Sequence, residues 1–228
     1  MFMAERPCIM CDPLSVPVKH FERYGVPRLD TIPLLKSDHF KVIADVLPAA
    51  DFHALIIPNK HTFSYAMMPE LHDEFGHLVN ELEAVVGEPL ALLEHGGAGP
   101  GANHQSIYHA HKHVMPSRLN PIAVLQDDFK RRGVEHKTID MEDPSPIHDL
   151  HRYVDGMNYL YVKQGTGGLL AIDHNGTHPS QQIQRAMGKQ YTGEFLNWKE
   201  IGDSGRGEEL ARRSVQQMLL AIQRCVHP

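Results

Sequence analysis

The segment His109-Ala110-His111-Lys112-His113-Val114-Met115 places three histidines at alternate positions ahead of two apolar residues. Strand side chains alternate between faces, so a strand here would carry the three imidazoles on one face and Ala110, Lys112 and Val114 on the other. Same-face neighbours would stand roughly 6.6 Å apart, close enough to share a substrate yet far enough for separate roles. Two chemistries suit the arrangement. Neutral imidazole is a preferred ligand of zinc, copper and iron, and it is also a nucleophile and acid–base group for phosphoryl chemistry. With 17 histidines in 228 residues, chance spacing is a third reading. The apolar surroundings, Ile107-Tyr108 before and Val114-Met115 after, weigh against it.

Cys8-Ile9-Met10-Cys11 is the second motif. In a cytoplasmic protein a metal knuckle or a redox pair suits it better than a structural disulfide; a redox pair would open a helix after a strand, whereas Pro7 before it and Asp12-Pro13 after it predict a loop. Cys225 stands apart from both.

The elements that must position these residues follow from local pattern. Residues 39–47 and 53–57 read as strands, with Pro48 and Pro58 as breaks. Residues 69–86 read as a helix, opened by Pro69 and carrying Leu71, Phe75, Leu78, Leu82 and Val85 at helical spacing. Residues 89–94 form a short strand, the run from Gly96 to Gly101 a flexible loop, and residues 106–115 the histidine strand, stopped by Pro116. Beyond it the pattern weakens. Residues 126–146 read as the least ordered stretch, 147–154 as a short helix, and 158–163 with 168–172 as a hairpin around Gln164-Gly165-Thr166-Gly167; helices follow at 179–188 and 207–225. This order predicts an α+β fold with an antiparallel sheet.

Composition bounds the function. An apolar content of 42% supports a full core, and a net charge of −6 argues against general nucleic-acid binding but not against a small nucleotide. No stretch approaches the ~20 apolar residues of a membrane span, and the start Met1-Phe2-Met3-Ala4-Glu5-Arg6 has no signal-peptide pattern, which predicts a soluble cytoplasmic protein.

The triad, preceded by Gln105-Ser106, resembles the histidine triad (HIT) family of nucleotide hydrolases and transferases. The stretch from His53 to His61, with Pro58-Asn59-Lys60-His61 at its end, is similar to that family's strand and turn, and Asp45 stands where the family places an acid for the ribose hydroxyls. The likeness covers residues 8–116, and implies a HIT-like catalytic core over 1–118 with a C-terminal extension over 119–228. A weaker likeness, through Pro179-Ser180-Gln181 and Asn197-Trp198-Lys199, links the extension to larger bacterial members. The resemblance implies His111 as nucleophile, His113 and His53 as phosphate-oxygen ligands, and Asp45, Gln105 and Ser106 as substrate contacts, while Asn103 and His104 either touch phosphate or shape the loop. It also implies a structural zinc on Cys8, Cys11, His61 and His109, a nucleotide substrate and a homodimer. His104 departs from the glycine usual before Gln-Ser, and His113 departs from the glutamine of the uridylyltransferase branch. The leading activity is hydrolysis of a dinucleoside polyphosphate or phosphoramidate through nucleotidyl-His111. Transfer to phosphate or another acceptor, and a slow-turnover nucleotide-binding regulator, are the alternatives.

Overall fold

The computed structural model describes residues 10–11, 34–45, 49–50, 52–97, 109–140, 150–152, 154–155, 157–173 and 182–192, with the single positions 209, 213, 216 and 220. Among the described residues, eight strands form one antiparallel sheet: β1 (Leu35–Lys36), β2 (Phe40–Ala44), β3 (Ala54–Pro58), β4 (Leu90–Gly96), β5 (Lys112–Pro116), β6 (Lys137–Asp140), β7 (Asn158–Gln164) and β8 (Gly167–Asp173). Their spatial order is β1-β2-β3-β5-β4-β7-β8-β6. The α+β class with an antiparallel sheet holds. Strands from both sides of residue 118 share the sheet, because β7 pairs with β4 from Ala91↔Gln164 to Gly96↔Tyr159.

Helix α1 (His72–Val86) buries Phe75, Leu78 and Leu82 on one sheet face, against Phe40, Val42, Ile56, Leu92 and Val114. Its last turn ends at Gly87, whose φ of 80° is the left-handed conformation that glycine adopts without a Cβ penalty. Helices α2 (Pro121–Arg132) and α3 (Gln182–Thr192) belong to the opposite layer: Leu125, Phe129, Ile183 and Met187 pack with Ala91, Leu93, Met115, Leu160 and Val162. Alternation along β4 and β5 divides the two cores, sending Leu92 and Val114 one way and Leu93 and Met115 the other.

Three expectations change. Residues 126–132 belong to a helix that starts at Pro121, and 137–140 form a strand, within the 126–146 stretch where low order was expected. The helix signals are present: Pro121 in the first turn, Leu125 and Phe129 four apart and buried, and Gly133 at φ 67° after the last turn. Strand β4 runs on through His95 and Gly96, because β7 supplies ladder partners to its end. The histidine strand begins only at Lys112; among the described residues before it, Ala110 donates its N–H to Thr62 O at 2.7 Å, outside any ladder. The 158–163 and 168–172 hairpin is present as β7 and β8, turning at Gly165 (φ 59°).

Candidate active site

The chain places His113 on β5, His111 one residue before it and His53 one residue before β3. Cross-strand pairing sets Leu55 opposite His113 and Leu93 on its other flank. The His111 and His113 rings lie 5.2 Å apart, and the His53 and His113 rings 5.0 Å apart. Of the three, His53 and His113 are fully buried and His111 is half-buried.

Hydrogen bonds fix which nitrogens carry protons. His111 Nδ1 lies 2.8 Å from His109 O, and a carbonyl only accepts, so Nδ1–H donates and Nε2 keeps its lone pair. Burial, assisted by the neighbouring His113, pushes the His111 pKa down to about 4, so the ring is neutral at pH 7. Ala49 N–H donates to His53 Nδ1 at 2.9 Å, so the proton of neutral His53 sits on Nε2. That nitrogen lies 2.9 Å from His113 Nδ1 and 3.3 Å from Asp45 Oδ2. His113 Nδ1 is also 3.3 Å from Asp45 Oδ2. Burial lowers the pKa of both rings, with Asp45 pulling the other way.

A second cluster stands at His61 and His109. Cys11 Sγ lies 3.2 Å from His61 Nδ1 and 3.3 Å from His109 Nδ1. His109 Nε2 donates to Pro58 O at 2.8 Å, which aims the Nδ1 lone pair at the sulfur. Burial pushes the His109 pKa down to about 4, which keeps it a neutral ligand. Ligands of a tetrahedral zinc bound through sulfur and nitrogen stand about 3.5 Å apart, so the three donors fit such an ion. Asp45, His53 and His113 also converge, with ligand atoms within 4.8 Å of one another. There the Ala49 bond commits the His53 Nε2 position to a proton, which opposes metal binding.

The structure therefore brings His111, His113, His53 and Asp45 together, and brings Cys11, His61 and His109 together. Cys8, Asn103, His104, Gln105 and Ser106 lie outside the described residues.

The sequence reading did not single out the layer behind the triad. Lys112, fully buried on the α1 face, sets Nζ 2.7 Å from Glu94 Oε2 and 4.7 Å and 5.1 Å from the ring centroids of Tyr65 and Tyr161. Its signal was a lysine in an apolar strand register, which demands a buried carboxylate partner.

Residues 27–120 match the family profile of the HIT domain. That stretch of the chain is similar to the HIT domain. A HIT-like protein of 16.1 kDa from Mycoplasma pneumoniae is 26% identical over 122 residues, covering 50% of this chain and 74% of the relative. Among solved structures, a HIT family hydrolase from Clostridium thermocellum is 20% identical at a TM-score of 0.35, covering 50% of this chain and 92% of that one. A yeast Ap4A phosphorylase in complex with AMP is 14% identical at a TM-score of 0.43, covering 86% of this chain and 80% of that one. The matched stretch spans His53, Asp45, His61 and the whole triad, and α2, β6, β7, β8 and α3 lie beyond it. No helix among the described residues is long and apolar enough to cross a membrane.

Proposed function

We propose that the HIT domain is a nucleotide hydrolase that works through a nucleotidyl-histidine. The observation that carries this reading is the His111–His109 bond of 2.8 Å, which leaves Nε2 of a neutral ring as the free nucleophilic lone pair. In the first step Nε2 attacks the α-phosphorus of a nucleoside 5′-phosphate derivative, and a P–N bond forms. The bond to the leaving group breaks, and that group departs with the electron pair and takes up a proton. In the second step water attacks the same phosphorus and loses a proton. The P–N bond breaks, the imidazole recovers its pair, and nucleoside monophosphate is released. Splitting one difficult transfer into two is the gain of covalent catalysis. His113, 5.2 Å from His111 between ring centroids, is placed to hydrogen-bond the phosphate oxygens as charge builds.

Cys11, His61 and His109, joined by Cys8, hold a structural zinc in this reading. When bound, the ion ties the cysteine segment to the approach of β5 and supplies no step of the reaction. Nothing in the reading needs a membrane, and the substrate is a free nucleotide rather than a nucleic acid.

The test is product analysis with a dinucleoside polyphosphate in phosphate buffer, with and without His111→Ala. Nucleoside monophosphate from the wild type only is the expected result. Nucleoside diphosphate would make phosphate the acceptor and the enzyme a phosphorylase. Binding without turnover in the wild type would overturn the enzyme reading in favour of a nucleotide-binding regulator.

A further inference from the structure

We infer that Asp45 is the positioning residue of the imidazole pair, orienting His53 and His113 through one carboxylate oxygen. The inference rests on the nucleotidyl-histidine reading. It concerns what holds the rings rather than what they attack.

The geometry is a closed triangle. Asp45 Oδ2 stands 3.3 Å from His53 Nε2 and 3.3 Å from His113 Nδ1, and those nitrogens are 2.9 Å apart. The Asp45 side chain is 7% exposed, and the two imidazoles 0% and 3%, so the carboxylate meets the rings out of water. The backbone clamps the same corner: Asp45 N–H donates to His53 O at 3.0 Å. With His53 Nδ1 already accepting from Ala49, its single proton lies on Nε2, one corner of the triangle. His113 Nδ1, at 2.9 Å, is the hydrogen-bond neighbour of that nitrogen, and Asp45 Oδ2 flanks the pair as a negative charge 3.3 Å from each nitrogen. Asp45 therefore sets the orientation of both rings and, through His113 Nδ1, which proton state His113 Nε2 shows to the substrate. An acid serving the ribose alone would have no need to point an oxygen at two buried imidazoles.

Asp45→Asn keeps the shape and removes the charge. The probes are the 4-nitrophenyl ester of adenosine 5′-monophosphate and its 2′,3′-dideoxy counterpart. A positioning role predicts a kcat loss on the order of 10²-fold, equal for both esters, with KM held, since small misplacement of a reacting group costs about that much. It also predicts, with no substrate present, that the imidazole nitrogen NMR signals of His53 and His113 move while those of His39 and His136 stay. A KM rise confined to the ribose ester, with unmoved ring signals, would overturn the proposal and make Asp45 a sugar contact. If Asp45→Asn does not fold, Asp45→Glu carries the same two readouts, since one added methylene displaces the charge; unmoved ring signals and unchanged kcat overturn it again. If the wild type cleaves neither ester, the hydrolase reading fails, and the NMR arm still decides the role of Asp45.

Discussion

Lys112 Nζ and Glu94 Oε2 face each other at 2.7 Å across the β4–β5 ladder, both fully buried, on the sheet face opposite His113. Glu94 Oε1 also accepts from Tyr65 N–H at 2.8 Å, and the buried Tyr159 hydroxyl donates to the same carboxylate. Burial pulls the lysine pKa down and Glu94 opposes it. Removing one member of a buried pair strands a charge, which typically costs about 3–5 kcal/mol, whereas removing both is often close to neutral. Glu94→Gln and Lys112→Met should each lower stability by about that amount, and the double variant by clearly less. Urea denaturation of the three variants reads this directly; an additive double variant would mean that the two groups do not act as a pair.

Tyr159 links the same layer to β7. A Cβ at Gly96 would stand 2.2 Å from Tyr159 Cζ, and Tyr159 is wholly buried, so the ring has no open space to retreat into. Gly96→Ala should therefore destabilise by about 1–3 kcal/mol, the usual range of overpacking. Combining it with Tyr159→Leu should cost less than the sum of the single changes. Full additivity in thermal or urea melts would show that the ring does not impose the glycine.

Much of this site was legible from residue order, because strand alternation is a local rule. His113 on one side of β5 and Lys112 on the other follow from period two alone. Helix α1 was legible through Phe75, Leu78 and Leu82, a repeat that needs no knowledge of its partner. What was not legible depends on distant chain. Gly96 reads as loop until Tyr159 pairs with it, and Glu94 reads as an ordinary strand acid until Lys112 meets it. Helix α2 was masked by the polar run through Asp127 and Asp128, although Leu125 and Phe129 already marked a buried stripe. The Asp45 triangle belongs to the same class: His53 and His113 are sixty residues apart in the chain.

The Cys11–His61–His109 cluster predicts metal content. Purified wild-type protein should carry about one zinc per chain, and Cys11→Ser and His61→Ala should each lose most of it. Loss of the ion should also lower the thermal midpoint, since binding free energy is folding free energy at such a site. Elemental analysis after dialysis checks the content. Full zinc occupancy in Cys11→Ser would remove Cys11 from the ligand set.

Acid should destabilise the fold in a window set by buried histidines. Burial holds the pKa of His53 and of His113 below 6.5, with Asp45 opposing in both and the neighbouring imidazoles assisting. Their folded forms are neutral, and the unfolded chain takes up protons first as pH drops through 6.5. Stability is thus fully present above pH 6.5 and declines below it, by up to about 1.4 kcal/mol per pH unit for each ring. Glu74, whose pKa is lowered from 4.5 with its carboxylate bonded to His39 and Ser37, contributes its own acid loss only further down, through and below its unfolded value. The two effects separate by pH. Urea midpoints at pH 7.5, 6.5 and 5.5 should fall in that order for the wild type, and a His53→Gln, His113→Gln variant should show a flatter profile over the same range. A wild-type midpoint that stays level or rises between pH 6.5 and 5.5 would mean that these rings already carry their second proton in the folded protein.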